Sequence, residues 1–222
     1  MKSGGIVLFS AVCAVFMLSI TCAEKQPAFK PIIYFPIQPG NTWQFSGSIS
    51  KIEISVESSK DNEFQMIYYD TLNTALWAER YVLQDSQIYW KTFEPNIELF
   101  PRISFSPPLP YAPISDKLEF STNMLSTETQ TDSSVRRSQI RIDYQIKRVE
   151  SVMTPAAIFK DCLMMKISIS YLDVTASPVF AGEHVWWYAK GVGPIKYELP
   201  SAEGELLSYN VKKALSFTGK NK

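Results

Sequence analysis

The chain has 222 residues, with 22 basic against 22 acidic side chains and a single histidine. That balance excludes the basic surplus of a nucleic-acid binder, and one histidine excludes a His-His metal site. Three cysteines, two of them in the first 22 residues, leave no pair for a disulfide in the body of the protein.

Met1-Lys2-Ser3 opens the chain with a positive charge, and Ile6 to Ile20 is almost wholly apolar. This is the n-region and h-region of a secretory signal. Its 15-residue core is short of the ~20 residues that a spanning helix needs. Two cuts compete. Thr21-Cys22-Ala23 puts small side chains three and one before Glu24. Alternatively the chain is cut between Thr21 and Cys22, and Cys22 becomes the first residue and carries lipid. Leu18-Ser19-Ile20-Thr21-Cys22 resembles a bacterial lipobox, with its Leu displaced by one position and Thr21 in place of a smaller residue. The predicted organisation is a signal over 1–21 (or 1–23), a polar tether over 22–33, one β domain over 34–214 and a C-terminal tail over 215–222. The expected location is the bacterial cell envelope, tethered to a membrane by lipid on Cys22, with a soluble periplasmic or secreted protein as the alternative. The absence of any N-x-S/T sequon points to a bacterial source.

About 200 residues follow the signal, enough for one real core. Loss of Lys2 leaves 21 basic and 22 acidic residues. Alternation of period two dominates the remainder. Trp43 and Phe45 share one face; Ile52, Ile54 and Val56 alternate with Lys51, Glu53 and Ser55; Phe64, Met66 and Tyr68 repeat the pattern. Ile88 and Trp90 follow. Ile140, Ile142, Tyr144 and Ile146 interleave with Arg141, Asp143 and Gln145, and Leu163 to Tyr171 and Leu207 to Val211 continue in kind. Such one-sided strands predict an antiparallel, all-β fold. Residues 117–129 and 136–149 are predicted to pair as a long hairpin around Thr131–Ser134. Glycine is absent between Gly47 and Gly182, so turns there must use Asn, Asp, Ser and Pro.

Pro95 to Pro113 holds six of the 14 prolines. Proline keeps a segment out of a central strand, which predicts a loop crossing the sheet, or a lid over a cavity. The expected architecture is a strongly curved sheet or half-open β-barrel of nine to eleven strands.

Three segments carry a family resemblance: Tyr34 to Phe45 (YFPIQPGNTWQF), Val152 to Leu163 (VMTPAAIFKDCL) and Val185 to Glu198 (VWWYAKGVGPIKYE). In that order they resemble the DUF3108-like, or TapB9-like, bacterial envelope proteins and lipoproteins. Ala157 stands where that group prefers Gly, and Pro194 where Leu is usual. The resemblance implies a fold like the half-barrels of LolA-type lipoprotein carriers, which enclose an apolar cavity, and it supplies no catalytic residues. Five tryptophans serve a filled core or a cavity lining equally well.

There is no G-x-S-x-G, P-loop, H-E-x-x-H or C-x-x-C. His184, before Trp186-Trp187, reads as an ordinary strand residue. Cys162 reads as a buried thiol. Glu119 and Glu128 have no spacing that singles them out. The expected function is therefore a non-enzymatic binding or assembly module, without cofactor, metal or nucleic acid, serving a lipid or other apolar ligand. The alternative is a structural subunit of a surface or secretion complex, with a filled core.

Overall fold

The structure, a computed structural model, describes residues 33–58, 62–84, 87–96, 101–111, 119–130, 132–173 and 181–212. The signal, both candidate cleavage sites and Cys22 lie outside these residues. So do the tether apart from Ile33, and the C-terminal tail.

Twelve strands follow one another: β1 (Thr42–Phe45), β2 (Lys51–Ser58), β3 (Glu63–Tyr69), β4 (Ala75–Gln84), β5 (Gln87–Pro95) and β6 (Arg102–Pro110) form the first half. They continue as β7 (Glu119–Thr129), β8 (Val135–Met153), β9 (Ile158–Tyr171), β10 (Gly182–Ala189), β11 (Gly193–Leu199) and β12 (Ala202–Asn210). Each pairs antiparallel with its sequence neighbours, and β1 also pairs with β12. The all-β, antiparallel class is as expected. The half-open barrel is not: the ring is closed, because β1 bridges both chain ends, Thr42 facing Glu53 on one side and Asn210 on the other.

The strand count exceeds the expected nine to eleven, and one reason is the proline-rich segment. Its residues 102–110 are neither loop nor lid but β6, a stave of the wall between β5 and β7. Pro107 and Pro108 fall where the ladder is interrupted. β7 pairs with Arg102 to Ser106, and β5 pairs with Ile103–Ser104 and Leu109–Pro110, so Pro107 and Pro108 are not called on to donate. The apolar residues of this segment point inward, with Ile103, Phe105 and Leu109 buried.

Elsewhere alternation translates into burial as expected. Ile140, Ile142, Tyr144 and Ile146 of β8 and Leu163, Met165, Ile167 and Ile169 of β9 are all buried. Outward faces carry ion pairs such as Lys51–Glu53, Arg141–Asp143 and Lys196–Glu205. A membrane-spanning barrel needs an outward apolar band and a polar lumen; here the polarity is reversed. The predicted long hairpin is present, with Thr129 opposite Val135 and Glu119 opposite Gln145. Tight turns use the expected residues: Asn62, Asn73 and Ser133 take positive φ, and the Asp70 and Asp132 carboxylates accept backbone N–H bonds within their turns.

The segment before β1 plugs one end of the ring, called here the entry end. Phe35 sits 4.3 Å from Tyr188 and 5.5 Å from Tyr111, ring centre to ring centre. The Gly191 N–H donates to Ile33 O at 2.6 Å, and Tyr34 O–H donates to Asp161 O at 3.3 Å. The Trp43 indole N–H donates to Val192 O at 2.6 Å. The bend joining β10 and β11 is the predicted Gly191-Val192-Gly193. The β8–β9 hairpin curls over the same end, its Ala156 N–H donating to Leu206 O at 3.0 Å. Its second strand begins at Ile158 and includes Phe159.

Gly193 and Gly191 separate two effects. At Gly193 (φ +103°) an added Cβ would stand 2.8 Å from the Trp43 ring; at Gly191 (φ +72°) it would meet nothing. Gly193→Ala is expected to cost about 2–4 kcal/mol, from backbone strain plus overpacking, and Gly191→Ala about 1 kcal/mol from strain alone. Urea unfolding of both variants checks this; equal costs would contradict the packing role.

Candidate functional site

A cavity of about 280 Å³ lies toward the far end of the barrel. Its wall comes from β4 (Trp77, Glu79), β5 (Trp90, Phe93), β9 (Ile167, Ile169) and β10 (His184, Trp186). Leu199, Pro200 and Ser201, at the β11–β12 turn, complete the rim, and Tyr111 contributes from the plugged side. These positions share the lumen because inward residues recur every second position along a strand; on β5 a bulge at Lys91 shifts the period, so that Trp90 opposite Tyr81 and Phe93 opposite Glu79 both face inward. Three of the five tryptophans therefore line a cavity, and Trp43 is packed solid at the entry end, where the void beside the plug is only about 10 Å³. Four tryptophans thus divide between the two expected uses, and the fifth, Trp187, lies half-buried beneath the Lys196 ammonium.

Glu79 is the one acidic residue of the lining. It occupies an inward position of β4, two residues from Trp77 and from Tyr81. Tyr68 O–H donates to Glu79 Oε2 at 2.6 Å and Tyr81 O–H to the same oxygen at 2.5 Å. Tyr68 in turn stacks on Trp77 at 4.7 Å and meets the Trp186 edge at 6.3 Å. The Trp77 indole N–H lies near enough to hold the carboxyl down slightly, but forms no hydrogen bond of ordinary geometry. Desolvation outweighs these donors and raises the Glu79 pKa above its ordinary value. Burial likewise keeps Tyr68, Tyr81, Tyr111 and Tyr188 neutral, their pKa values pushed up, and Tyr111 and Tyr188 share a 2.8 Å O–H···O bond.

The residues weighed from sequence are dispersed. His184 lines the cavity. Cys162 is fully buried, its thiol donating to Phe159 O at 3.4 Å, and burial raises its pKa, which suppresses the reactive thiolate. His184 pairs with Ile167, five residues along β9 from Cys162, a separation of roughly 16 Å along the strand. Glu119 is exposed and accepts from Gln145 Nε2 at 2.7 Å, whereas Glu128 is buried and accepts from Tyr171 O–H at 3.0 Å. Nine residues of β7 separate these two carboxylates, roughly 30 Å. The residue missed is Glu79. Its signal was a charge between Trp77 and Tyr81 at the inward period of a strand.

No protein-family model matches the chain, and no curated protein does. The resemblance to DUF3108-like proteins thus has no family-model match behind it. Two solved structures are similar in fold at 14% identity. One is a candidate lipoprotein from Parabacteroides distasonis, with a TM-score of 0.41 over 80% of this chain and 98% of that one. The other is a candidate exported protein with a YmcC-like fold from Bacteroides fragilis, with a TM-score of 0.44 over 80% and 99%. No function follows from likeness at this level.

The Glu79 shift has a stability consequence. A carboxyl whose folded pKa is raised binds more protons folded than unfolded. Its favourable contribution is complete below the ordinary value of 4.5 and is lost as pH rises through the folded value. The stability of the wild type relative to Glu79→Gln is therefore expected to fall as pH rises from 4 to 8. Urea titrations of both proteins across that range check it, and a difference independent of pH would contradict the desolvated carboxyl.

Proposed function

We propose that the protein is exported, is anchored in the bacterial cell envelope by lipid on Cys22, and works there as a non-enzymatic module that binds a small, largely apolar ligand. The single observation that carries the binding role is the far-end cavity, walled by Trp77, Trp90, Trp186 and Phe93, with Glu79, His184 and Ser201 among its few polar groups. Concave, aromatic-lined spaces with few polar groups are where small molecules bind. At about 280 Å³ it sits at the lower edge of such sites, so it suits a small molecule or one segment of an acyl chain rather than several chains.

The signal sequence supports export, and the lipobox-like residues before Cys22 support anchoring. Cys22 is eleven residues before Ile33, a span of at most roughly 40 Å. Because the chain enters at the plugged end, such an anchor would leave the cavity on the side of the barrel away from the attachment. A non-catalytic role agrees with a buried Cys162 held far from His184.

The alternative, a structural subunit with a filled core, is favoured by the entry end, where Phe35, Tyr111 and Tyr188 leave almost no void. The two readings make different demands on the far end.

Labelled palmitate is expected to enter the wild-type protein and not Cys22→Ser; equal labelling, or none in either, would end the lipoprotein reading. Native mass spectrometry of the exported Cys22→Ser form is expected to find a small molecule bound one to one. A ligand-free barrel in stoichiometric complex with another protein would favour the structural subunit instead.

A further inference from the structure

The cavity has a charge character that the apolar reading does not use. Among the described residues its lining includes one carboxylate, Glu79, and one histidine, His184, but no lysine or arginine. Both tyrosine hydroxyls donate to Oε2, and Glu79 is among the residues that line the cavity. The other buried acid, Glu128, is held by Tyr171 and is not part of this lining. Around Glu79 stand the indoles of Trp77, Trp90 and Trp186 with the ring of Phe93. An aromatic face carries negative quadrupolar potential and attracts a cation within about 6 Å of its centre, most strongly for Trp and more so where water is excluded.

We propose that the cavity takes an organic cation, a small molecule whose substituted ammonium group seats among these tryptophans against Glu79. This rests on the reading that the cavity binds a small ligand and adds the ligand's charge. Each alternative leaves a cost on the molecule. A carboxylate headgroup would lie beside a buried carboxylate, with no lysine or arginine among the described lining residues to compensate. A pure hydrocarbon would cover Glu79 and leave its desolvation unrelieved. A substituted ammonium places apolar methyl or methylene groups on the rings and supplies the counter-charge for the carboxylate. Burial has already raised the Glu79 pKa, and a neighbouring cation would draw it down again. Tyr68 ties the two parts together, donating to Glu79 while stacking on Trp77.

Three probes of matched length separate charge from apolarity: hexyltrimethylammonium, hexanol and hexanoate, titrated into the exported Cys22→Ser form at pH 7.5 with tryptophan fluorescence and calorimetry. The ammonium probe is expected to bind at least tenfold more tightly than hexanol, and hexanoate most weakly. Glu79→Gln is expected to reduce that preference at least tenfold while hexanol binding persists. Equal affinities for the ammonium probe and hexanol, or tighter binding of hexanoate, would overturn the cation assignment and leave the apolar site standing. No binding of any probe would overturn both. The wild-type ranking needs no variant, so a Glu79→Gln protein that failed to fold would not protect the proposal.

Discussion

Twelve strands closed into a ring leave a lumen that their own inward side chains do not fill. Around eight strands an interior is just wide enough to be packed by side chains, and at sixteen to eighteen it becomes a channel. This barrel lies between those limits, and the rest of its structure answers that constraint. At the entry end the answer is a plug from outside the wall, Phe35 packed against Tyr111 and Tyr188, and from the wall itself Trp43 of β1 closes on Gly193. The three segments that resemble envelope proteins meet there, through Tyr34 with Asp161 and Trp43 with Val192. Their shared residues are accounted for by packing and turns.

At the far end no plug of this kind appears among the described residues, and the lumen remains a cavity. Its aromatic wall is stable without a ligand because the rings support one another, as Tyr68 on Trp77 and Tyr81 beside Trp90 show. Glu79 is harder to explain as structure alone. Two tyrosine hydroxyls satisfy one oxygen, but no lysine or arginine stands among the described lining residues, and a buried carboxylate without a paired charge is costly. A residue kept in such a place, on a cavity wall, is a candidate for function.

How much of this was legible in the sequence follows from which rules are local. Strand faces were legible wherever charge and apolar side chains alternated, as in β8 and β9. Turns without glycine were legible because Asn, Asp and Ser have their own means of reversing a chain. Ring closure was not, because the pairing of β1 with β12 joins residues more than 150 positions apart. β6 was hidden because a proline forbids a strand only where its missing N–H would be needed, and that depends on where the neighbouring ladders break. β4 was hidden by the very residue that matters. Glu79 stands in the inward row with Trp77 and Tyr81, and so spoils the alternation that identifies a half-buried strand. The local irregularity and the candidate site have one cause.

The central claim is that one end of the barrel is packed and the other hollow. Diffraction from crystals of the exported Cys22→Ser form held under xenon tests this directly, since xenon enters apolar cavities and is excluded from packed cores. The expected result is xenon density among Trp77, Trp90, Trp186 and Phe93, and none between Phe35, Tyr111 and Tyr188. Density at the plug, or indole rings collapsed into the far-end space with no xenon there, would contradict it.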